Sequence, residues 1–293
     1  MNPLDLSIII VNYNTADLIG ECLESLGPDA PPSREVFVVD NASTDGGGEI
    51  VRMRYPWVHL TVNADNKGFA AANNQVLPLC RGRYLLYLNP DTRLTDPGVL
   101  GVCVRFMDAH PQVGLAGARM VNPDGSLQES VSRRYPGQKF TRSEMAGLKG
   151  EIACVLGAGM IARTDLIRRI GGFDEDFRLY GEDQDLCLQV RRAGYEIGYI
   201  EKAAIVHYGG QSERQSIPAE VWKKKTRAEY LFYRKHYGPQ TRKRIRRADL
   251  AKALFRIVTL TLAMPFVGDR GRAAAKRAKY RAIYDTLRPL KEV

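Results

Sequence analysis

Three polar clusters stand out in the first hundred residues: Asn12-Tyr13-Asn14, Asp40-Asn41-Ala42-Ser43 and Asn89-Pro90-Asp91. Carboxylates such as Asp40 and Asp91 supply hard oxygen ligands, which suit Mg2+ or Mn2+ engaged with a nucleotide diphosphate. Taken singly, each is equally well explained by capping or turn chemistry. Farther on, Glu182, Asp183 and Asp185 put three carboxylates into four positions. Like charges so close repel, and a cation, hydrogen bonds or a shifted pKa must offset the cost. Such a cluster could supply a general base, with at least one pKa raised towards neutrality. A helix starting there would stabilise the charges through its dipole, and that structural reading stays open beside the catalytic one. His207 follows the apolar run Ala203-Ala204-Ile205-Val206 and taken alone reads as a core histidine. The turn-forming Tyr208-Gly209-Gly210 after it could bring backbone close to phosphate, which favours a ligand.

The elements around these residues alternate. Short β-branched runs at Leu6–Val11, Val36–Val39, Leu60–Val62, Tyr84–Leu88 and Val113–Ala118 predict strands of a mostly parallel sheet built from β-α units. Leu18, Ile19, Cys22, Leu23 and Leu26 fall at helical spacing, with Thr15 as expected N-cap. The three polar clusters each follow a strand, and in open parallel sheets ligands bind beyond the carboxyl ends of the strands. Residues 122–150 lack periodicity and predict a long surface loop. A second structured block spans residues 153–210. From Ile217 the pattern is helical. Trp222, Thr226, Tyr230, Tyr233 and Tyr237 form a stripe expected to pack on the core, and Leu250, Leu254, Ile257, Val258 and Thr261 form a second apolar face before Pro265.

The chain of 293 residues, 44% of them hydrophobic, can bury a real core, and disorder is excluded as its overall state. Five cysteines, Cys22, Cys80, Cys103, Cys154 and Cys187, are odd in number and form no CxxC pair. They predict buried thiols in a reducing compartment. No signal-like segment opens the sequence, and the longest apolar stretch, near Ile257–Gly268, has 12 residues without charge against the roughly 20 that span a bilayer. The expectation is therefore a cytoplasmic protein. The net charge of +10 is uneven: from residue 213 onward 22 Lys and Arg face 7 Asp and Glu, a net +15, while residues 1–212 carry a net −5.

Eight stretches together resemble family 2 glycosyltransferases of the GT-A fold, in their bacterial rhamnosyltransferase-like branch. They are SIIIVNYN from Ser7, VVDNASTDG at 38–46, NKGFAAANN at 66–74, YLNPDT at 87–92, GAGMIAR at 157–163, GGFDEDF at 171–177, GEDQDLC at 181–187 and HYGGQS at 207–212. The resemblance implies a GT-A α/β domain over residues 1–212, a mixed sheet with helices on both faces, and a basic helical extension over 213–293. It implies an inverting transferase that moves a sugar, rhamnose on dTDP being the favoured case, from a nucleotide-sugar donor to a glycan or lipid-linked acceptor.

Residue by residue, it implies that Tyr13 lines or stacks on the base and Asp40 hydrogen-bonds it, with Asn12 and Asn89 counted among the nucleotide contacts. Asn66 and Gly68 stand beside the nucleotide by resemblance, while an ordinary strand-to-helix turn with a positive-φ glycine explains them equally. Asp91 matches the last carboxylate of a DXD metal motif whose first position is Asn89 here, and His207 matches a histidine on the metal or diphosphate. Asp183 matches the base, with Glu182 as the alternative and Asp185 as a capping or supporting residue. Where many relatives carry Arg, this chain has Gln189, so a phosphate contact is lost or falls to Arg191 or Arg192.

Two other readings remain. A nucleotidyltransferase would use similar elements, but Ser7–Thr15 lacks its glycine- and arginine-rich phosphate loop. The basic tail suits nucleic acid, yet the acidic first 212 residues and the absence of a nucleic-acid-binding motif argue against such a partner. The tail's charge and apolar face suit instead the inner, anionic membrane surface, placing the protein as a peripheral one. Packing on the core or on a second subunit of a homodimer is the alternative.

Overall fold

The computed structural model describes residues 4–27, 31–141, 143–209, 217–266 and 268–290. Gly210, Gln211 and Ser212 of the HYGGQS stretch lie outside the described residues, as does the junction at 212/213. The chain divides into two compact units, residues 1–135 with 148–212, and residues 136–147 with 213–293.

The first unit begins with the predicted alternation. β1 (Leu6–Asn12), α1 (Ala16–Leu26), β2 (Arg34–Asp40), α2 (Gly47–Arg54), β3 (His59–Val62), α3 (Phe69–Val76) and β4 (Tyr84–Leu88) follow in order. Then come β5 (Thr92–Leu94), α4 (Val99–Ala109), β6 (Val113–Val121), β7 (Val131–Ser132), β8 (Cys154–Val155), β9 (Gly159–Arg163), α5 (Thr164–Ile170), α6 (Glu182–Arg192) and β10 (Glu196–His207). Eight strands form one sheet in the order β3-β2-β1-β4-β9-β6-β10-β5. All seven residues of β1 are buried, so the sheet is covered on both faces at its centre, which is why the strand reads as an unbroken apolar run. The described fold is thus the expected α/β mixed sheet.

Only β9 and β5 run against the other strands: β9 is antiparallel to β4 and β6, and β5 to β10. This arrangement positions the site. The carboxyl ends of the parallel strands share one edge, where Asn12 pairs in register with Asp40. The antiparallel β9 starts at that same edge, with Gly159 opposite Leu88. The residues just before β9 therefore lie beside the end of β4.

Thr15 occupies the N-cap position of α1 but does not cap with its side chain. Its hydroxyl instead donates to Asn12 Oδ1 at 2.6 Å, and Asp45 Oδ2 accepts the Ala16 N–H at 2.8 Å. The cap comes from a distant loop because the hydroxyl is used to brace the strand end. Residues 122–150 are largely irregular, apart from β7 and a short 3-10 turn at Gln138–Phe140. All five cysteines are buried and free.

In the second unit, α7 (Pro218–His236), α8 (Pro239–Ala263) and α9 (Arg270–Leu287) bury Phe232, Tyr233, Ile245, Ala253, Ala273, Ala282 and Leu287. Tyr233 and Tyr237 from the predicted stripe stack at 5.7 Å, and the Tyr237 hydroxyl donates to the Pro136 carbonyl at 2.6 Å. The other face of α8 is left open: Leu254, Phe255, Val258 and Leu262 are exposed, and Phe266 beyond the helix is 88% exposed. No helix among the described residues is long and apolar enough to cross a membrane.

Candidate active site

The first two strand ends are tied together by side chains. Asn12 Nδ2 donates to Asp40 Oδ2 at 2.7 Å and to Ser43 Oγ at 3.1 Å, while the Ser43 N–H donates to Asp40 Oδ1 at 3.0 Å. Asn12 is fully enclosed, so it acts on any ligand through Asp40 and Ser43. A carboxylate has room for about four hydrogen bonds, so Asp40 keeps acceptor capacity beyond these two. Tyr13, half-buried, follows Asn12 at the same edge.

The next turn is built from amides. Asn41 Oδ1 accepts from Asn63 Nδ2 and from the Lys67 N–H, and Asn41 Nδ2 donates to Asn66 Oδ1 at 3.0 Å. Asn66 Oδ1 also accepts the Gly68 N–H. Gly68 has φ +87°, and a Cβ there would lie 2.9 Å from the carbonyl oxygen of Arg178. Glycine is required on both counts. The Phe69 N–H donates to that same carbonyl at 3.0 Å, and Asn74 both accepts the Phe173 N–H and donates to the Phe173 carbonyl. The stretch 66–74 is thereby fastened to 173–178, the segment that leads into the acidic helix.

At the third strand end, the Asn89 N–H donates to the Ala158 carbonyl at 3.0 Å. One residue earlier, the Gly157 N–H donates to Asp183 Oδ2 at 3.3 Å. The start of β9 thus carries the acidic pair to the flank of Asn89-Pro90-Asp91. Two successive positive φ values, at Tyr180 and Gly181, turn the chain into α6, whose first turn holds Glu182, Asp183 and Asp185.

Asp183 also accepts the Gln184 N–H at 2.8 Å through Oδ1. Glu182 is buried, and its Oε2 has no hydrogen-bond partner among the described residues. Burial, and then the Asp183 charge beside it, push the Glu182 carboxyl up to about 8. Burial also raises Asp183, against the hydrogen bonds from Gln184 and Gly157. Desolvation is therefore the main cause, where the sequence suggested mutual repulsion. Of the two, Asp183 is the better placed to carry charge, because two N–H groups and the helix N-terminus face it.

Asp91 and His207 meet, with His207 Nε2 3.5 Å from Asp91 Oδ1. They are 5% and 8% exposed. The turn after β10 is held at several points: the Tyr208 N–H donates to the Asp91 carbonyl at 3.0 Å, and the Tyr208 hydroxyl donates to Glu21, itself paired with Arg93 at 2.8 Å. The carboxylate oxygen suits Mg2+ and Mn2+ alike, and the imidazole nitrogen beside it favours Mn2+, the transition metal of the two. No third His, Cys, Asp or Glu joins them among the described residues. Such a cation would fill its other positions with phosphate oxygens and water, as Mg2+ commonly does. Two ligands in adjacent octahedral positions stand about 3 Å apart at Mg2+ bond lengths, close to the spacing of this pair.

Sequence reasoning missed Gln128, whose Oε1 lies 2.6 Å from His207 Nδ1, because it sits in an aperiodic loop. It also left open a role for Arg191 on phosphate. The guanidinium is instead used structurally: it donates to the carbonyls of Leu148, Lys149 and Gly150, and the residue is buried.

An eight-stranded mixed sheet of this order, with acidic and amide side chains gathered at one edge, defines a GT-A glycosyltransferase fold. Residues 7–171 match the profile of "Glycosyl transferase family 2". The chain belongs to that family, and the nucleotidyltransferase reading falls away. Its relatives include an N-acetylglucosaminyl-diphospho-decaprenol L-rhamnosyltransferase of Mycobacterium tuberculosis (strain ATCC 25618 / H37Rv), 24% identical over 257 residues, or 78% of this chain and 83% of the relative. The rhamnosyltransferase WbbL of Escherichia coli (strain K12) is 24% identical over 245 residues, covering 76% and 91%. Among solved structures, a mannosyltransferase of Pyrobaculum calidifontis in complex with GDP-Man and Mn2+ aligns with a TM-score of 0.62 at 19% identity, covering 98% of this chain and 88% of that one. Residues 1–349 of S. aureus TarS in complex with UDP-GlcNAc align with a TM-score of 0.56 at 20% identity, covering 97% and 91%.

Proposed function

We propose that this glycosyltransferase is metal-dependent and inverting, and that it transfers a sugar from a nucleoside-diphosphate donor, rhamnose on dTDP being the favoured case, to a glycan or lipid-linked acceptor in cell-surface polysaccharide synthesis. The observation that carries the reading is the juxtaposition at one sheet edge of an Asp91–His207 pair with a carboxylate pair, Glu182 buried and Asp183 half-buried and held by two N–H groups. The names of the relatives favour rhamnose and a diphospho-lipid acceptor, and the Mn2+ named with the Pyrobaculum structure favours a divalent cation.

Inversion needs one base and a stabilised leaving group. Asp183 takes the acceptor hydroxyl's proton as its oxygen forms the new bond to the anomeric carbon from the face opposite the nucleotide. The bond from that carbon to the diphosphate oxygen breaks in the same displacement. Asp91 and His207 would hold the cation, which when bound neutralises the charge growing on the departing diphosphate. Glu182, protonated, keeps a second negative charge away from Asp183. Asp40 and Tyr13 would receive the base, with Asn12 bracing Asp40. The turn carrying Asn66 and Gly68, together with Asn89, would border the nucleotide.

The exposed apolar stripe Leu254, Phe255, Val258, Leu262 and Phe266, on a unit whose residues from 213 onward carry a net +15 while residues 1–212 are net negative, supports docking of the second unit on an anionic membrane surface. A lipid-linked acceptor would be presented there. The deciding experiment is thermal melting with dTDP, UDP and GDP, with and without Mn2+ or Mg2+. A nucleotide at ~100 times its Kd should add about 2.7 kcal/mol, and the gain should need the metal. No metal-dependent stabilisation by any of the three would overturn the reading.

A further inference from the structure

We infer that Gln128 is a positioning residue for His207: it fixes the imidazole as the Nδ1–H tautomer and turns Nε2 towards Asp91. The inference rests on the reading above that the Asp91–His207 pair receives a divalent cation. The direction of each hydrogen bond can be worked out from a group whose role is not in doubt. Asp124 Oδ1 is a carboxylate oxygen and accepts from the Ser126 hydroxyl at 2.6 Å, as well as from the Ser126 N–H at 2.9 Å. Ser126 Oγ has given its only proton to Asp124, so it accepts from its other neighbour, the Asn122 amide nitrogen at 2.9 Å. That orients the Asn122 amide, whose Oδ1 accepts from Gln128 Nε2 at 3.1 Å. The Gln128 amide is oriented in turn, and its Oε1 faces His207 Nδ1 at 2.6 Å. An amide oxygen can only accept, so Nδ1 carries the hydrogen. Nε2 is left for a cation, 3.5 Å from Asp91 Oδ1.

The relay is built into a hairpin tip. Val121 bridges Leu127, the Asn122 N–H donates to the Ser126 carbonyl at 2.8 Å, and Gly125, at φ +81°, closes the turn. The Gln128 N–H donates back to the Met120 carbonyl at 3.0 Å, which anchors the relay to β6 beside β10. The sequence Asn122-Pro123-Asp124-Gly125-Ser126-Leu127-Gln128 thereby gains a task beyond turning the chain. Free imidazole has no such constraint, and a ring carrying its proton on Nε2 would point a hydrogen at the cation's position. Partners of this kind on ligating histidines are typically worth ~10–100-fold in metal affinity.

The test compares wild type with Gln128→Leu, which removes the acceptor, and Gln128→Glu, which keeps an oxygen facing Nδ1. Side-chain 15N NMR of the metal-free protein at mildly alkaline pH reports the tautomer, with the His207 signals identified by their loss in His207→Gln. In parallel, Mn2+ EPR with dTDP or UDP reports cation affinity. The expected result is Nδ1–H in wild type and Gln128→Glu, a shift to Nε2–H in Gln128→Leu, and ~10-fold weaker Mn2+ binding in Gln128→Leu alone. An Nε2–H tautomer in wild type, or a tautomer unmoved in a folded Gln128→Leu, would overturn the assignment. An Nδ1–H wild type that binds no Mn2+ with nucleotide would support the positioning and overturn the cation reading.

Discussion

The buried Glu182 carboxyl makes a quantitative claim about stability. Its pKa of about 8 stands against an ordinary value of 4.5, and burial is the largest cause. A carboxyl whose pKa is raised by folding is harmless at low pH, where both states are protonated. As pH rises past 4.5 the unfolded chain loses the proton while the folded one keeps it, so stability falls until the folded group also ionises near 8. At 1.36 kcal/mol per unit, the full shift corresponds to about 5 kcal/mol, a ceiling that the neighbouring Asp183 shares in setting. Glu182→Gln replaces the protonated acid by a neutral group of the same shape. Urea unfolding of both proteins at a series of pH values should give coinciding free energies at about pH 3.5, where both states hold the proton, and a variant more stable by about 2–5 kcal/mol above pH 8. The difference between the two curves cancels the titrations of groups remote from Glu182, leaving its own and that of the adjoining Asp183. Parallel curves over the whole range would refute the claim that Glu182 carries the proton.

Four further outcomes follow from the same geometry. Asp183→Asn should lower kcat at least ~100-fold while nucleotide affinity stays within a few-fold, since it removes the proton acceptor and one of the two accepted N–H bonds but no assigned nucleotide contact; steady-state transfer and calorimetric binding check this, and near-normal turnover would exclude Asp183 as the base. Asp91→Ala should abolish the Mn2+-dependent part of dTDP or UDP binding, and an unchanged affinity with and without Mn2+ would remove Asp91 from the metal. Gly68→Ala, forced into φ +87° against the Arg178 carbonyl, should cost about 1–3 kcal/mol in urea unfolding; a stability equal to wild type would show that the turn relaxes freely. Leu262→Glu with Phe266→Glu should weaken co-sedimentation with anionic liposomes while leaving melting temperature and nucleotide binding intact, and equal sedimentation would refute membrane docking by α8.

The parts of this molecule legible in the sequence are those governed by local chemistry. β1, β2 and β4 are buried on both faces, so their runs of Ile, Val and Leu mark them directly, and the polar residues that end the runs mark the edge proposed to bind the ligand. The acidic cluster was visible as a repulsion needing a remedy. Its remedy was not, because the amount of burial at Glu182 and the N–H of Gly157 that holds Asp183 come from elements far apart in the chain. The reversed direction of β9 was equally hidden, since a five-residue apolar run carries no sign of its polarity. That reversal shapes the proposed site: a parallel strand there would end at the edge that gathers the polar clusters, whereas β9 begins at it. The segment entering β9 therefore meets both Asn89 and Asp183. Gln128 escaped notice for a related reason. Its loop has no periodicity to read, and the role of its amide emerges only when the hydrogen bonds are followed outward from Asp124 through three side chains to the ring of His207. Strand ends can be read as residue types, but the protonation of the groups that they gather depends on contacts that the sequence does not order.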